Sequence, residues 1–364
     1  MSTTIYIRTL KRAEHTVFSV ESGQKTYYDN QFARSIPYSS GQQIKYSLIE
    51  ALCSELNVMR SPTIFTSNVK PKGIGKEKRL EFDGEGEVFT NCDPRYADQL
   101  FGGWMKAVKG SKEKNLKRRS PLSISAMRAL HPLLAGVPKE NLSYDRREFP
   151  NNEIIIRDES GRALSEDEVL DFIDNREGKA SLTSKFIQGQ TRATGLFVSD
   201  IAIDLRRLFT VSLNSFEPEM SDETIEKLKS EGWIEAENVF GDCLVVPKEL
   251  RKKWAKALAK AIINWKITSN QSRTFSLMDT LAISISDNAN LIAGSIRAKL
   301  SEEDSKKADP IIDESLKNVE TYITLQAGGY IQTKGEAADA LERAEGSLID
   351  KIMAFDYENQ LINV

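Results

Sequence analysis

The sequence predicts an α+β protein in which an antiparallel sheet carries its helices on one face. Three observations lead there. Alternating apolar stretches fall at 4–8 (TIYIR), 193–205 (ATGLFVSDIAIDL) and 281–286 (LAISIS), the period of half-buried strands. Two segments, 41–57 and 247–266, instead place apolar residues every third or fourth position, as helices do. The order strand, helix, strands, helix, strand lacks the regular βαβ alternation of a parallel sheet.

The elements follow in order. Residues 4–8 open as a strand, and 15–20 (HTVFSV) read as a second strand or its continuation. After a loop at 21–37 comes Arg34-Ser-Ile-Pro-Tyr-Ser-Ser-Gly-Gln-Gln-Ile-Lys45. Ser39 or Ser40 is the natural N-cap. Ile44, Leu48, Leu52 and Leu56 commit one helix face to a core, and Gln42 and Lys45 fall off that stripe near the helix start. An ordinary capped helix accounts for this segment. So does a platform for phosphate, because unpaired N–H groups and the helix dipole favour anions there. The helix stops at Ser61-Pro62, and 67–90 is a mobile insertion rich in Gly, Lys and Glu. Asp93-Pro94 starts a helix carrying Tyr96, Leu100, Trp104 and Val108. Residues 120–132 begin as a strand. Glu153-Ile-Ile-Ile-Arg157 suggests a hairpin arm, and Ser165-Glu-Asp-Glu168 is a capping box. Residues 221–231 form a short polar helix. The helix 247–266 sets Leu250, Trp254, Leu258, Ile262 and Trp265 on one face, with Lys248, Arg251, Lys252, Lys256 and Lys260 opposite. Past the LAISIS strand the chain is acidic and helical, one helix starting at Pro310 and another spanning 335–355.

Composition narrows the function. With 364 residues and 40% hydrophobic content the chain can bury a real core. No apolar run is long enough to span a membrane, and the start lacks the pattern of a secretory signal. Cys53, Cys92 and Cys243 are widely spaced, as suits reduced thiols in a cytoplasmic protein without a zinc site. The net charge of -3 hides an asymmetry: 70–79 carry five bases and one acid, 106–119 seven bases and one acid, and 299–364 seven bases and fourteen acids. Such segregation can give a basic groove and an acidic back. The second basic run ends in Arg118 and Arg119.

Enzyme signatures are weak, so no catalytic residue, metal or cofactor is expected. His15 and His131 are the two histidines and read as structural. Gly73-Ile-Gly75-Lys76 lacks the spacing of a phosphate-binding loop. Binding signals are stronger. Lys185-Phe-Ile-Gln188-Gly-Gln-Thr-Arg192 mixes cations and amides beside the best strand, and Ser269-Asn-Gln-Ser272-Arg273 suits a loop on phosphate or sugar, or a simple turn. Phe149 and Phe186 are candidates to wedge between bases, or core residues.

Together these segments resemble the backbone subunits of Cascade, the CRISPR interference complex (the Cas family numbered seven, DevR type, of the RAMP superfamily). The resemblance rests on Arg34 with Ser39-Ser-Gly-Gln-Gln-Ile-Lys45, on Asp98-Gln-Leu-Phe-Gly102, on Arg119-Ser-Pro-Leu-Ser-Ile124, on Ala193-Thr-Gly-Leu-Phe-Val with Ile201-Ala-Ile-Asp-Leu, and on Ser269-Asn-Gln-Ser-Arg273, in the family's order. It touches about 3–300. It implies an RRM-like (ferredoxin-like) palm with large insertions, a thumb hairpin and a helical region. The palm with insertions would occupy 1–300, including the basic loop 67–90 and a thumb-like arm at about 141–192. An acidic helical extension, 301–364, would pack on the palm. It also implies partners: the CRISPR guide RNA, a target nucleic acid expected to be DNA, further copies of the chain stacked head to tail, and the cap, large and processing subunits of Cascade, with no membrane. Arg34, Ser39, Ser40, Gln42, Gln43 and Lys45 would hold the RNA backbone, with Arg118, Arg119, Lys185, Gln188, Ser272 and Arg273. The alternative is a RAMP-superfamily endoribonuclease cutting precursor or target RNA, for which Asp29 lies in a suitable loop before the helix.

Overall fold

Residues Thr4–Thr16 form one continuous strand, β1, so His15 and Thr16 continue it instead of starting another. The charged pair Lys11-Arg12 interrupts the apolar alternation but not the strand, because Lys11 turns inward and is buried. The structure is a computed structural model that describes residues 2–18, 24–73, 79–84, 86–107, 114–145, 153–175, 184–267 and 274–361, with the backbone alone at 142–145 and 184–188.

Around β1 stand α1 (Gly41–Leu56), β2 (Leu122–Ile124), β3 (Ala193–Asp204), α2 (Lys248–Asn264) and β4 (Thr280–Ser286). β3 and β4 flank β1, and β2 pairs with β3, all antiparallel: Ile7 lies opposite Ile201 and Ile285, and Ile124 opposite Ile201. The order β2-β3-β1-β4 with this chain order is the ferredoxin-like, RRM-like palm. Both long helices pack on the same face. Ile44, Leu48, Leu52 and Leu56 of α1 and Trp254, Leu258 and Ile262 of α2 share a core with Ile5, Ile7, Phe197, Ile203 and Ile283.

The opposite face is covered by the C-terminal segment. A fifth strand, β5 (Glu320–Ile323), extends the sheet beside β4. Leu10, Leu196, Val198 and Leu281 pack under Ile296, Ile312, Ala327 and Ile331. The clasp is Arg8: its guanidinium binds Asp200 at 2.6 and 3.1 Å and donates to the carbonyls of Ala293 and Ile296 at 2.6 and 3.0 Å. Burial opposes ionisation of Asp200, but the hydrogen bonds and charges of Arg8 and Arg128 outweigh it and hold the carboxyl below its usual range.

Several expectations need correction. The tail is only partly helical: Pro310 lies in a strand, Ala308–Ile312, paired with Ile296–Leu300, and α3 (Ala340–Met353) is the tail's one α-helix among the described residues. The helix expected from Asp93-Pro94 spans only Ala97–Gly102. Gly103 then takes φ +73°, and Trp104 starts a strand paired with Leu116–Arg118. Arg251 belongs to the buried face of α2, where it meets Glu358 at 2.7 Å and the Val246 carbonyl. The expected insertion 67–90 is instead part of two antiparallel strand pairs that begin at Thr63, Thr63–Thr66 with Glu87–Thr90 and Val69–Lys72 with Arg79–Phe82.

An arm leaves the palm between β2 and β3. Its root is the hairpin Lys139–Asp145 with Ser184–Thr191. The capping box closes reciprocally, Ser165 N donating to Glu168 at 2.7 Å and Glu168 N to Ser165 Oγ at 3.4 Å. It opens the helix Glu166–Asn175, in which no residue is buried. Residues 153–157 form only the isolated bridge from Arg157 to Ala163. No helix among the described residues is long and apolar enough to cross a membrane.

Lys11 generates a test. Its Nζ sits on Thr280 Oγ1 at 2.8 Å and over the Trp265 ring, and burial, reinforced by Lys266, pulls its pKa down to about 7. Between that value and the ordinary lysine range, the unfolded chain binds more protons than the folded one, so stability rises with pH. Each unit of the shift is worth about 1.4 kcal/mol. Urea midpoints are expected to climb from pH 7 to pH 9. Lys11→Met is expected to raise the pH 7 midpoint and flatten that slope, since Thr280 keeps the Ile263 carbonyl as acceptor.

Candidate nucleic-acid interface

The start of α1 is pressed against β2. A Cβ on Gly41 would stand 2.7 Å from the Ile124 carbonyl oxygen, so only glycine lets the helix begin there. Of the two candidate caps, Ser40 serves: its Oγ accepts from Gln43 N at 3.3 Å. Ser39 exchanges two backbone hydrogen bonds with Met127, each 3.0 Å. Its side chain is buried and its Oγ has no hydrogen-bond partner among the described residues. The first turn of α1 holds no acid, which keeps the positive end of the dipole uncompensated.

Lys45 reaches across to donate to the Gly102 carbonyl at 2.7 Å, and burial pulls its pKa below the ordinary lysine range. It contacts the end of the Ala97–Gly102 helix, so two segments distant in sequence meet. Lys45 lines a cleft of about 520 Å³ with Gly103 and the exposed Gln42 and Arg60. Arg60 stacks over Tyr46 at 4.7 Å. Asp98 and Gln99 in the same cleft are engaged structurally, accepting from Ser61 N at 3.0 Å and Thr90 Oγ1 at 2.6 Å.

Arg34 faces elsewhere. It donates to the Ala135 carbonyl at 2.9 Å and lines a second cleft, of about 780 Å³, with Arg12, Gly136, Pro138 and Tyr330 at the arm root. The segment read as one platform therefore serves two clefts.

The pair Arg118-Arg119 also splits. Arg118 is buried; it binds Glu219 at 3.0 Å and the carbonyls of Arg207 and Leu100. It braces the palm, and a strand on the surface cannot reach it. Arg119 is exposed. Lys185 and Gln188 lie on the arm strand Ser184–Thr191, where the backbone alone is described. Phe186 shares that strand. Ser272, Arg273 and Phe149 lie outside the described residues.

The sequence reading missed two groupings. Arg207, Lys114 and Lys117 gather around Arg119 in a cleft with Phe216 and Phe240. The Arg206-Arg207 dipeptide after the best strand was the available signal. Asp29 and His131 are also neighbours. Asp29 caps the turn by accepting from Phe32 N at 2.8 Å, and the Phe32 ring meets His131 edge-on at 4.8 Å. Burial lowers the His131 pKa while the charge of Asp29 works the other way. His131 Nδ1 accepts from Leu133 N at 3.1 Å.

No family model matches the chain, and no curated protein matches it in sequence. Solved structures are similar to it. One is a chain described as a CRISPR RNA-guided surveillance complex, 9% identical, covering 95% of this chain and 99% of its own, with a TM-score of 0.43. Another is described as a CRISPR RNA-guided surveillance complex, pre-nicking, 10% identical, covering 96% of this chain and 87% of its own, with a TM-score of 0.39. At those scores the likeness carries no argument, and the palm stands on the chain's own strand register.

Arg118→Ala leaves Glu219 buried without its cation and is expected to cost about 3–5 kcal/mol, read as a lowered urea midpoint. Arg119→Ala is expected to leave the midpoint within about 0.5 kcal/mol.

Proposed function

We propose that the chain is a guide-RNA-binding backbone subunit of a Cascade-type CRISPR interference complex, assembling head to tail along the RNA and presenting it for target pairing. The observation that carries this reading is the contact of Lys45 with Gly102. It joins the Ser39–Lys45 and Asp98–Gly102 segments, the first two elements of the family resemblance, in one cleft at the start of α1.

The chemistry suits the task. Guide sequences differ, so the protein must hold RNA without reading bases. Phosphate contacts from Lys45 and Arg119, an uncompensated helix start and the amide of Gln42 supply sequence-independent affinity. Arg34 would act at the arm root. A contact between unlike faces of successive copies does not close and yields a filament, and target recognition passes to base pairing. Target DNA and the cap, large and processing subunits complete the proposed partners, in the cytoplasm.

The second reading is an endoribonuclease of the RAMP superfamily, favoured by the proximity of Asp29 and His131. Asp29→Asn keeps the acceptor for Phe32 N and removes the charge. It abolishes cutting of bound RNA if Asp29 takes part in the chemistry, and cleavage unchanged by Asp29→Asn rejects that role.

Expression with a CRISPR array and the neighbouring genes is expected to yield the chain bound to guide-length RNA that nuclease cuts at evenly spaced positions. Protein free of RNA at low salt contradicts the proposal. Lys45→Glu is expected to weaken binding about equally for unrelated guides and to reduce the salt slope by about 1. A loss confined to some guides contradicts backbone holding.

A further inference from the structure

A second basic cleft lies beside the α1 cleft, between the strand Leu116–Arg118 and the small sheet formed by Thr210–Ser212, Ile234–Asn238 and Gly241–Val245. Its volume is about 820 Å³, and its lining includes Lys114, Lys117, Arg119, Arg207, Phe216 and Phe240. We propose that it is a subsite for single-stranded nucleic acid, holding backbone phosphates on Lys117, Arg119 and Arg207 and stacking a base on Phe216. The inference rests on nucleic-acid binding by this chain but not on membership of a CRISPR complex.

Charge is the first support. Four cations converge, and the acids among them do not balance the set. Glu219 is already bound to Arg118 and to Ser212 N, leaving Glu217 at the rim. Lys117 and Arg119 make no ion pair among the described residues. Arg207 has, among the described residues, only a distant ion-pair partner, Asp204 at 3.9 Å. Burial, and then the charges of Arg119 and Arg118, pull Arg207 below the ordinary arginine range against Asp204 and Glu219. Like charges held together without counter-charge are relieved by an anion.

The aromatic rings are the second support, and they separate a nucleic acid from a simple anion. Phe216 is 88% exposed. It is held out by a turn in which Asn214 Oδ1 accepts from Phe216 N at 2.8 Å, and Lys114 anchors that turn through the Ser215 carbonyl at 2.7 Å. Phe240 lies under Arg207, 3.6 Å from the guanidinium to the ring centre. A cation over one ring and a bare ring beside the phosphate-binding groups is the pairing that sequence-tolerant strand binding uses.

Continuity with the first cleft is the third. A Cβ on Gly103 would stand 2.7 Å from both Arg118 O and Ser120 N. The backbone on either side of Arg119 is therefore wedged against Gly103, which lines the Lys45 cleft. A strand leaving Lys45 past Gly103 arrives at Arg119.

The test uses the whole chain and a fluorescein-labelled uridine homopolymer of about 15 nucleotides. Phe216→Ala is expected to weaken binding about tenfold, the scale of one lost stacked base. The double reversal Lys117→Glu with Arg119→Glu is expected to weaken it further and to make the log–log salt slope shallower by about 1.4. In Phe216→Trp the new indole is exposed, whereas Trp104, Trp233, Trp254 and Trp265 are buried. Its fluorescence is expected to be quenched by the homopolymer and not by inorganic polyphosphate. Unchanged affinity in Phe216→Ala and in the double reversal, with Lys45→Glu still impaired, overturns this subsite and leaves RNA binding standing. Polyglutamate or polyphosphate matching the homopolymer, with no effect of Phe216→Ala, also overturns it, as a surface for anions or acidic proteins. A wild-type chain that binds no homopolymer at low salt overturns both this inference and the proposed function.

Discussion

Arg8 is the interaction on which the arrangement of surfaces depends. It stands on the central strand, reaches sideways to Asp200 of β3 and upward to two carbonyls of the C-terminal segment. An arginine in that position must be paired to be buried at all. The pairing fixes both the β1–β3 neighbourhood and the cover over the sheet. RRM domains stack bases on the open face of their sheet. Here the centre of that face is an apolar layer under Ile296, Ile312 and Ile331. The helix start and the flanking loops, with the Lys45 and Arg119 clefts, are what remains open for the proposed ligand.

The palm was legible because its parts are local. The period of Ile44, Leu48, Leu52 and Leu56 and the alternation of 193–205 each describe one element against one core. β1 was harder, since Lys11-Arg12 breaks the apolar alternation between 4–8 and 15–20. Only the tertiary setting shows Lys11 accommodated by Thr280 and Trp265, and Arg12 lying over Tyr330. The tail misled for a similar reason. Proline starts helices often, but Pro310 sits opposite Ala298 in a two-stranded ribbon, and β5 is four residues long and too short to announce itself.

The binding surface was legible in kind more than in detail. A run of basic residues says that cations gather, not which of them point out. Arg118 and Arg119 are neighbours with opposite fates: Arg118 closes the strand Leu116–Arg118 with its side chain buried, and Arg119 lies just past the strand end. One finds Glu219 and the other solvent. Lys45 was placed correctly near the helix start, but its attachment to Gly102 needed the fold. The cleft around Phe216 draws on segments almost a hundred residues apart, and no local pattern could have assembled it.

The two hairpins between Thr63 and Thr90 are built differently from the palm. Phe65, Val69, Leu80, Phe82 and Val88 are exposed, and the cross-strand pairs Lys70–Asp83 and Lys72–Glu81 are ion pairs in water. Two-stranded ribbons without a layer beneath them are marginal, and exposed ion pairs add little. The chain therefore has two melting behaviours in one molecule. The palm opens only with its core, while the hairpins open at small free-energy cost and exchange their amide hydrogens long before the palm does. A protease meeting the folded protein finds cleavable chain here, as on the exposed arm, without opening the palm.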